Sequence, residues 1–238
     1  MNHFDYYEYQ TKARGVNSLT EIREIALTRE HVYNRILLPN IPNNKDARIV
    51  ELACGHGSLL YWLKMQGYQQ VLGIDSSQEQ LNLALEVGYP LENADAIEWL
   101  SRTSNDNVDL VLGIDLVEHL SKDNFMEMLK EVHRVLLPGG ILALRYPNGD
   151  SPFVGLNLFN DITHVWTYTT NCMNTLSLMH GYSSVSFTDE SSAALRDLRW
   201  LKVPMSKIST WIMQFLVFTV TREKIHYLSP HIWAFFKK

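Results

Sequence analysis

The chain has 238 residues, of which 46% are hydrophobic and 20% charged, which suits one folded domain with additions and excludes global disorder. The net charge is −5, and residues 1–195 alone carry −11, so nucleic acid is an unsuitable partner for most of the chain. The two cysteines, Cys54 and Cys172, are too few for a disulfide framework, which predicts a reducing compartment and a cytoplasmic location.

The N-terminal residues, 1–44, precede the first predicted strand. Apolar residues recur at helical spacing from Ile22 to Leu37, and Pro39 ends that pattern, so this segment is predicted to be helical. It shows neither the basic nor the apolar region of a signal peptide. The longest near-apolar stretch, residues 211–220, is too short to span a bilayer.

The first predicted strand ends in a loop of small residues. Residues 48–60 read Arg-Ile-Val-Glu-Leu-Ala-Cys-Gly-His-Gly-Ser-Leu-Leu, an apolar run followed by a turn and a helix-like segment. Such a turn lets a ligand approach the backbone and directs helix N–H groups at it. The loop lacks the three-glycine spacing of a dinucleotide site and the Lys-Ser/Thr of a P-loop. Because Glu51 would repel phosphate, the loop favours a cationic ligand.

Acidic residues follow the next predicted strands in turn. Asp75 ends the second strand 24 residues after Glu51, close to the spacing of about 20 residues at which nucleoside-binding α/β folds place an acid on the ribose hydroxyls. Asp95 follows the third strand. Asp115 follows the fourth, a nearly continuous apolar run typical of a strand that is buried on both faces.

Strand and helix patterns alternate along the rest of the chain. The turn Pro138-Gly139-Gly140 is predicted to break a helix over 125–137 just before the fifth strand. Residues 182–188 and 232–236 predict the last two strands, and residues 206–220 predict a helix between them. Strands separated by helices imply right-handed crossovers and a parallel sheet, so an α/β fold is predicted.

These elements, in this order, resemble those of class I S-adenosylmethionine (SAM) methyltransferases over roughly residues 45–190. Glu51 to Gly57 resembles the family's first motif, an acid followed by three alternating glycines, with Ala53 in the first glycine position. The resemblance implies a Rossmann-like fold with a mostly parallel seven-stranded sheet and helices on both faces. It also implies SAM as cofactor and S-adenosylhomocysteine as product. The cofactor-binding residues that it implies are Glu51, Ala53, Gly55, Gly57, Asp75, Ser76, Asp95, Ala96 and Asp115.

The same resemblance sets the expected domain organisation. We expect residues 45–238 to form the methyltransferase domain and residues 1–44 to form a helical cap over its active site. Residues 190–230 are expected to be a helical insertion before the last strand.

Polar residues follow the fourth predicted strand directly: Asp115, Glu118 and His119. Because an imidazole titrates near neutral pH, His119 could accept a proton from a substrate hydroxyl. The alternative is that His119 only stabilises its loop through hydrogen bonds. The sequence leaves both interpretations open.

A second polar group follows the fifth strand, where residues 161–169 read Asp-Ile-Thr-His-Val-Trp-Thr-Tyr-Thr. Asp161 and His164 could orient a sugar or phosphate, and Trp166 or Tyr168 could stack on a ring. The alternative is a packed loop in which His164 caps the next helix. The pattern is similar to one in methyltransferases encoded with glycan-assembly enzymes, and its Thr-His step resembles ubiquinone-pathway O-methyltransferases. His119 and His164 are therefore the predicted catalytic residues, facing one acceptor pocket.

A metal-assisted alternative comes from another resemblance. Asp115-x-x-Glu118-His119 with a later His164 is similar to the arrangement in metal-assisted small-RNA 2′-O-methyltransferases. There a divalent cation would hold sugar hydroxyls and lower their pKa. Asp115 is shorter than the Glu of that pattern, and a general base is the simpler account. No metal ligand is therefore predicted, and a divalent metal stays an alternative.

The C-terminal residues differ in charge from the rest of the chain. Residues 196–238 carry +6, with interleaved aromatic side chains. Such a segment could lie on an anionic membrane surface. The alternative is a solvated basic face over an ordinary core. The aromatic residues concerned are Trp200, Trp211, Phe215, Phe218 and Trp233.

The cofactor and the two polar loops together predict a SAM-dependent O-methyltransferase. Its expected acceptor is a sugar or glycan-linked hydroxyl, or a phosphate, in polysaccharide or lipopolysaccharide biosynthesis. One alternative is methylation of a quinol or similar lipid at the membrane surface, which the basic aromatic segment favours. Another is a SAM-binding partner protein without catalysis, against which the intact polar residues argue. The sequence leaves the oligomeric state open.

Overall fold

A computed structural model of the chain describes residues 16, 18–190 and 199–238, with side chains for all of these except 199–207. Residues 1–15 and 17 of the predicted cap lie outside the described residues. So do residues 191–198 of the predicted insertion and the side chain of Trp200.

Strands and helices alternate as far as the fifth strand. The described strands are β1 (Arg48–Leu52), β2 (Gln70–Asp75), β3 (Leu91–Asn93), β4 (Val108–Ile114), β5 (Leu136–Pro147), β6 (Ser184–Asp189) and β7 (His231–Lys237). The described α-helices are α1 (Leu19–Val32), α2 (Ser58–Met65), α3 (Gln78–Ala84), α4 (Ala96–Arg102), α5 (Lys122–Val135), α6 (Gly155–Leu158), α7 (Thr170–Met179) and α8 (Arg199–Thr221).

All seven strands belong to one sheet, in the order β3-β2-β1-β4-β5-β7-β6. Strands β1 to β5 pair in parallel, whereas β7 runs antiparallel to both β5 and β6. The mostly parallel seven-stranded sheet predicted from the sequence is confirmed. The strand order reverses between β1 and β4, and an open α/β sheet binds its ligands at the carboxyl ends of the strands at such a point.

Alternate strand residues pack into two cores, one on each face of the sheet. Ile49 of β1 belongs to the core that includes residues of α1, α2 and α3, whereas Val50 belongs to the core that includes α4, α5 and α7. This burial on both faces explains why the strands read as nearly continuous apolar runs. The predicted helices on both faces are confirmed.

The turn Pro138-Gly139-Gly140 lies inside β5. The strand residues on either side of it, Leu136 and Ile141, both pair with β4, so the turn bulges out of the ladder. Gly139 has a φ of 79°, a conformation that glycine adopts at low cost. The prediction that this turn ends a helix is therefore wrong, because α5 already ends before Leu136.

A buried ion-pair network joins β4, β5 and the antiparallel edge of the sheet. Arg145 of β5 is 1% exposed, and its guanidinium donates to the carboxylates of Asp115, after β4, and Glu190, after β6. Trp233 Nε1 also donates to Glu190 Oε1, at 3.1 Å. Burial alone would raise the pKa of both carboxyl groups, but the Arg145 charge outweighs it and holds each pKa below its usual value.

We expect Glu190→Gln to lower the free energy of unfolding by about 2 kcal/mol, because it leaves a buried guanidinium partly uncompensated while keeping the side-chain shape. Urea unfolding followed by circular dichroism measures the change. Glu127→Gln is the matched control, since its ion pair with Lys130 is exposed and should contribute less than about 0.5 kcal/mol. Equal losses in the two variants would contradict the structural importance of the network.

Candidate active site

Backbone geometry shapes the loop between β1 and α2. Ala53, Gly55 and Gly57 have positive φ values of 54°, 52° and 83°. A Cβ on Gly57 would lie 3.0 Å from the Cβ of Ala84 in α3, so the loop also needs glycine there for close packing. Ala53 adopts its left-handed conformation at a cost of roughly 1–2 kcal/mol. Because α2 begins directly after Gly57, its first N–H groups are directed at this loop.

The buried carboxylate of Glu51 lies at the base of this loop. Glu51 is 3% exposed, and its Oε2 has no hydrogen-bond partner among the described residues. Burial, followed by the negative charge of Asp75, raises the pKa of Glu51 well above its usual value. A buried polar atom without a partner is rare in folded proteins. The amino group of a cationic ligand would supply the missing donor.

Asp75 links the ends of β1 and β2. Its Oδ2 accepts the N–H of Gly55 and its Oδ1 accepts the N–H of Ser77, both at 2.8 Å. Burial raises the pKa of Asp75, and these two hydrogen bonds oppose the rise. The structure thus brings Glu51, Gly55 and Asp75 together at one edge of the sheet.

The remaining predicted cofactor residues lie nearer to the surface. Asp95 caps α4, because its Oδ1 accepts the N–H groups of Ile97 and Glu98 in the first turn of that helix, at 2.8 and 3.1 Å. Ser76 and Asp95 are exposed, and Ala96 is half-buried. Asp115 has a φ of 52°, and its carboxylate pairs with Arg145. The sequence did not reveal this partner, since neither Arg145 nor Glu190 lies in a recognisable motif.

The loops after β4 and β5 bring the two predicted catalytic residues into contact. The Val165 N–H donates to the carbonyl oxygen of Glu118 at 2.7 Å and so joins the loops. The rings of His119 and His164 pack edge to face, with centroids 4.6 Å apart. His164 Nε2 lies 4.0 Å from Glu118 Oε1. We call Glu118, His119 and His164 the histidine cluster.

Hydrogen bonds at Nδ1 orient both imidazole rings. Thr163 donates its hydroxyl proton to Asp161 Oδ1 at 2.6 Å and therefore accepts the Nδ1–H of His119 at 2.9 Å. The Nδ1 of His164 lies 3.1 Å from the carbonyl oxygen of Leu158, which can only accept. In the neutral form of each ring, these partners would place the proton on Nδ1 and the lone pair on Nε2. The sequence pointed to Asp161 but not to this role of Thr163.

The third member of the cluster is a buried carboxylate. Glu118 is 2% exposed, and its Oε2 has no hydrogen-bond partner among the described residues. Burial, then the charge of Asp115, raises the pKa of Glu118 well above its usual value. Burial, then the neighbouring His164, lowers the pKa of His119. The donor atoms of the three side chains all lie within 4.8 Å of one another.

A cavity of about 660 Å³ lies beside the carboxyl end of β5. Its walls include residues of α1 and α8 and the turn that precedes β7. Glu190 and His231 also line it, so it borders the Arg145 network. Burial, then the charge of Arg145, lowers the pKa of His231 to about 4.

The aromatic residues of the C-terminal segment differ in their environment. Trp211, Phe215 and Phe218 of α8 are 64%, 54% and 37% exposed, whereas Trp233 is fully buried in β7. An ordinary core therefore accounts for Trp233 but not for the α8 residues. Within the described ranges, no helix combines the length and the apolar content needed to cross a bilayer.

Comparison with known proteins agrees with this geometry. A family model described as "Methyltransferase domain" matches residues 49–140. The chain is 34% identical over 122 residues to trans-aconitate 2-methyltransferase of Azoarcus sp. (strain BH72). The aligned residues cover 50% of this chain and 46% of that protein. It is 28% identical over 163 residues to a putative methyltransferase, YqeM, of Bacillus subtilis (strain 168), covering 62% and 63% respectively. The match thus spans less than two thirds of either relative.

The fold also matches a solved structure along almost its whole length. A SAM-dependent methyltransferase from Archaeoglobus fulgidus superposes with a TM-score of 0.70 at 20% identity, covering 98% of this chain and 99% of that one. At this identity the match shows the fold. The chain therefore has the fold of a SAM-dependent methyltransferase of known structure, and its residues 49–140 match the methyltransferase domain model.

Proposed function

We propose that this chain is a SAM-dependent O-methyltransferase that acts on a hydroxyl of a sugar or glycan-linked acceptor. The observation that carries the proposal is the histidine cluster, which lies at the carboxyl ends of β4 and β5 in a fold whose strand ends bind ligands. Glycan biosynthesis is the setting that the Asp161–Thr169 sequence favours. Formation of S-adenosylhomocysteine with a panel of sugar acceptors tests the proposal directly.

The residues at the ends of β1, β2 and β3 fit a bound SAM. SAM, when bound, supplies a methyl group on a positively charged sulfonium. The buried Oε2 of Glu51 would accept the amino group at its methionine end, beside Gly55 and Gly57. Asp75, at the end of β2, would accept the ribose hydroxyls, and Asp95, after β3, would lie at the adenine edge. The other proposed cofactor-binding residues are Ala53, Ser76, Ala96 and Asp115.

The histidine cluster suits an acceptor that must lose a proton. We assign proton acceptance to His119, whose lone pair lies on Nε2 because Thr163 holds Nδ1. With SAM bound, the acceptor oxygen would receive the methyl group, and S-adenosylhomocysteine would leave with the electron pair of the broken carbon–sulfur bond. The hydroxyl proton passes to His119, and His164 helps to position the acceptor.

The charges around the cluster favour a hydroxyl over a phosphate. Glu118 and Asp161 are both buried carboxylates beside the histidines. Neither group supplies a positive charge to balance a phosphate, whereas an acceptor hydroxyl can donate a hydrogen bond to either. A phosphate oxygen would also need no base. The phosphate version of the prediction therefore has less support than the hydroxyl version.

We propose that the helical segments at both ends of the chain form the acceptor side. Residues of α1, within the predicted cap over 1–44, line the cavity beside β5, and so do residues of α8, within the predicted insertion over 190–230. The cavity borders the carboxyl edge of the sheet, where the acceptor must meet the cofactor. The domain from residue 45 onwards would then bind SAM.

Exposed apolar residues on α8 favour a second candidate, methylation of a quinol or similar lipid at a membrane surface. Trp211 and Phe215 stack on each other with ring centroids 5.9 Å apart and remain exposed. Arg222 and Lys224 follow at the end of the helix and could face anionic headgroups. In this version the protein is cytoplasmic and binds the inner membrane face peripherally.

A non-catalytic SAM-binding partner protein is the remaining alternative. It would bind SAM with the same residues yet form no S-adenosylhomocysteine with any acceptor. Calorimetry and product formation on one sample separate this class from an enzyme.

We expect Glu51→Gln to weaken SAM binding by roughly 10–100-fold, since it removes a charge-assisted hydrogen bond worth about 1.5–3 kcal/mol. The same variant should stabilise the cofactor-free protein, because it removes a buried carboxylate whose Oε2 has no hydrogen-bond partner among the described residues. Folding raises the pKa of Glu51 above its unfolded value near 4.5. The buried carboxyl group therefore lowers the free energy of unfolding of the unaltered protein as the pH rises above that value. The stabilisation should therefore disappear as the pH is lowered towards about 4.

Calorimetry and urea unfolding measure the two effects separately. Glu86→Gln, an exposed residue after α3, is the matched control and should change neither. Unaltered SAM affinity in Glu51→Gln would refute the placement of Glu51 at the cofactor.

We expect His119→Ala and His164→Ala each to lower turnover by roughly 10²–10⁴-fold, the usual contribution of acid–base help, with SAM affinity nearly unchanged. The assay uses the best acceptor from the panel. His133→Ala is the control, because His133 lies on α5 against the Gly181 carbonyl, away from the cluster. Near-normal turnover in both cluster variants would mean that the histidines are structural.

We expect the chain to float with liposomes that contain anionic lipid at low ionic strength, where electrostatic attraction is strongest. Trp211→Glu with Phe215→Glu should abolish flotation, since it places charge on the exposed face of α8. Leu85→Glu, at an exposed leucine after α3, is the control and should float normally. If the unaltered protein stays in solution, the lipid alternative loses its support.

A further inference from the structure

We propose that Glu118, His119 and His164 form a binding site for one divalent first-row transition-metal ion. The site combines two imidazole nitrogens with one carboxylate, all within 4.8 Å of one another. The inference deepens the proposed function, on which it rests only for the use of the ion in methyl transfer. Binding of the ion itself depends on the geometry of the cluster.

The two rings are oriented as metal ligands are oriented. A metal-bound histidine typically donates its other N–H to a carboxylate, a backbone carbonyl or water, which fixes the ring and its tautomer. His119 donates through Thr163 to Asp161, and His164 donates to the Leu158 carbonyl. Both hydrogen bonds use Nδ1, so both Nε2 lone pairs are the donor atoms for an ion.

The buried carboxylate supplies the third ligand. Glu118 Oε1 lies 4.0 Å from His164 Nε2, and Glu118 Oε2 has no hydrogen-bond partner among the described residues. Donor atoms about 2.1 Å from one ion lie roughly 3.0–3.4 Å apart. Side-chain rotations that move each donor atom by under about 1 Å would therefore complete the site. A cation would also compensate the charge of a carboxylate that is 2% exposed.

The donor set selects the class of ion. Imidazole suits Zn²⁺, Fe²⁺, Cu²⁺ or Ni²⁺, whereas Mg²⁺ and Ca²⁺ prefer all-oxygen sites. Two histidines and one carboxylate leave further coordination positions open, as catalytic sites do. An acceptor hydroxyl could occupy such a position and lose its proton more readily. When the ion is bound, Nε2 of His119 is one of its ligands. The ion, rather than the imidazole ring, would then assist proton loss from the acceptor hydroxyl.

The experiment uses the full chain with any affinity tag removed, and Co²⁺ as a spectroscopic probe. We expect one Co²⁺ per chain with visible ligand-field absorption, displaced by Zn²⁺ but not by excess Mg²⁺. Glu118→Gln and His164→Ala should weaken Co²⁺ binding by more than 100-fold, whereas His133→Ala should bind normally. Loss of a hydrogen bond that supports a metal ligand typically lowers metal affinity by 10–100-fold. Thr163→Val keeps all three ligands, so its Co²⁺ affinity should fall by an amount in that range. Circular dichroism checks each fold.

Methyl-transfer assays with and without a chelator separate this inference from the proposed function. Absence of stoichiometric Co²⁺ binding, or Co²⁺ binding that Glu118→Gln leaves unaffected, would overturn the metal site. Methyl transfer that resists the chelator would then leave His119 as the base. Binding at the cluster without transfer to any acceptor would support the site and overturn the proposed function. Chelator-sensitive transfer that Zn²⁺ or Co²⁺ restores would support both.

Discussion

Desolvated acidic groups at the carboxyl ends of β1 and β4 set the chemistry of this molecule. Asp115 is neutralised from within the protein, because the buried Arg145 pairs with it. Glu51 and Glu118 are not compensated in this way, and each retains a buried oxygen without a hydrogen-bond partner among the described residues. Burying a carboxylate is costly unless a cation or donor meets it. The strand ends therefore favour cationic or hydrogen-bond-donating ligands over phosphates.

The sequence was sufficient for features that depend on neighbouring residues. The strand, loop and helix around Glu51 to Gly57 were predictable because small residues between an apolar run and a helical pattern leave few other conformations. The positive φ of Ala53 follows the glycine position of the family motif. The same local logic was misleading at Pro138-Gly139-Gly140, where the turn chemistry was recognised but its place inside a strand depends on pairing with β4.

Features that depend on distant residues were not predictable. Arg145 bonds Asp115 and Glu190, which are far from it in the chain, and no motif marks this network. The exposure of Trp211 and Phe215 likewise depends on what packs against α8. The sequence placed His119 and His164 on loops after neighbouring strands, but only the hydrogen bond between the loops shows how closely the rings meet.

The Asp161–His164 sequence has a physical meaning that its pattern alone does not show. Asp161 Oδ1 accepts both the N–H and the hydroxyl of Thr163, which fixes the turn. The same hydroxyl then accepts from His119, a residue of the preceding loop. The next residue after Thr163 is His164, so one short turn orients one imidazole and supplies the other. A general base and a metal site both need this arrangement of the two imidazole rings. Which of the two roles the histidines perform then depends on whether a cation reaches the buried carboxylate of Glu118.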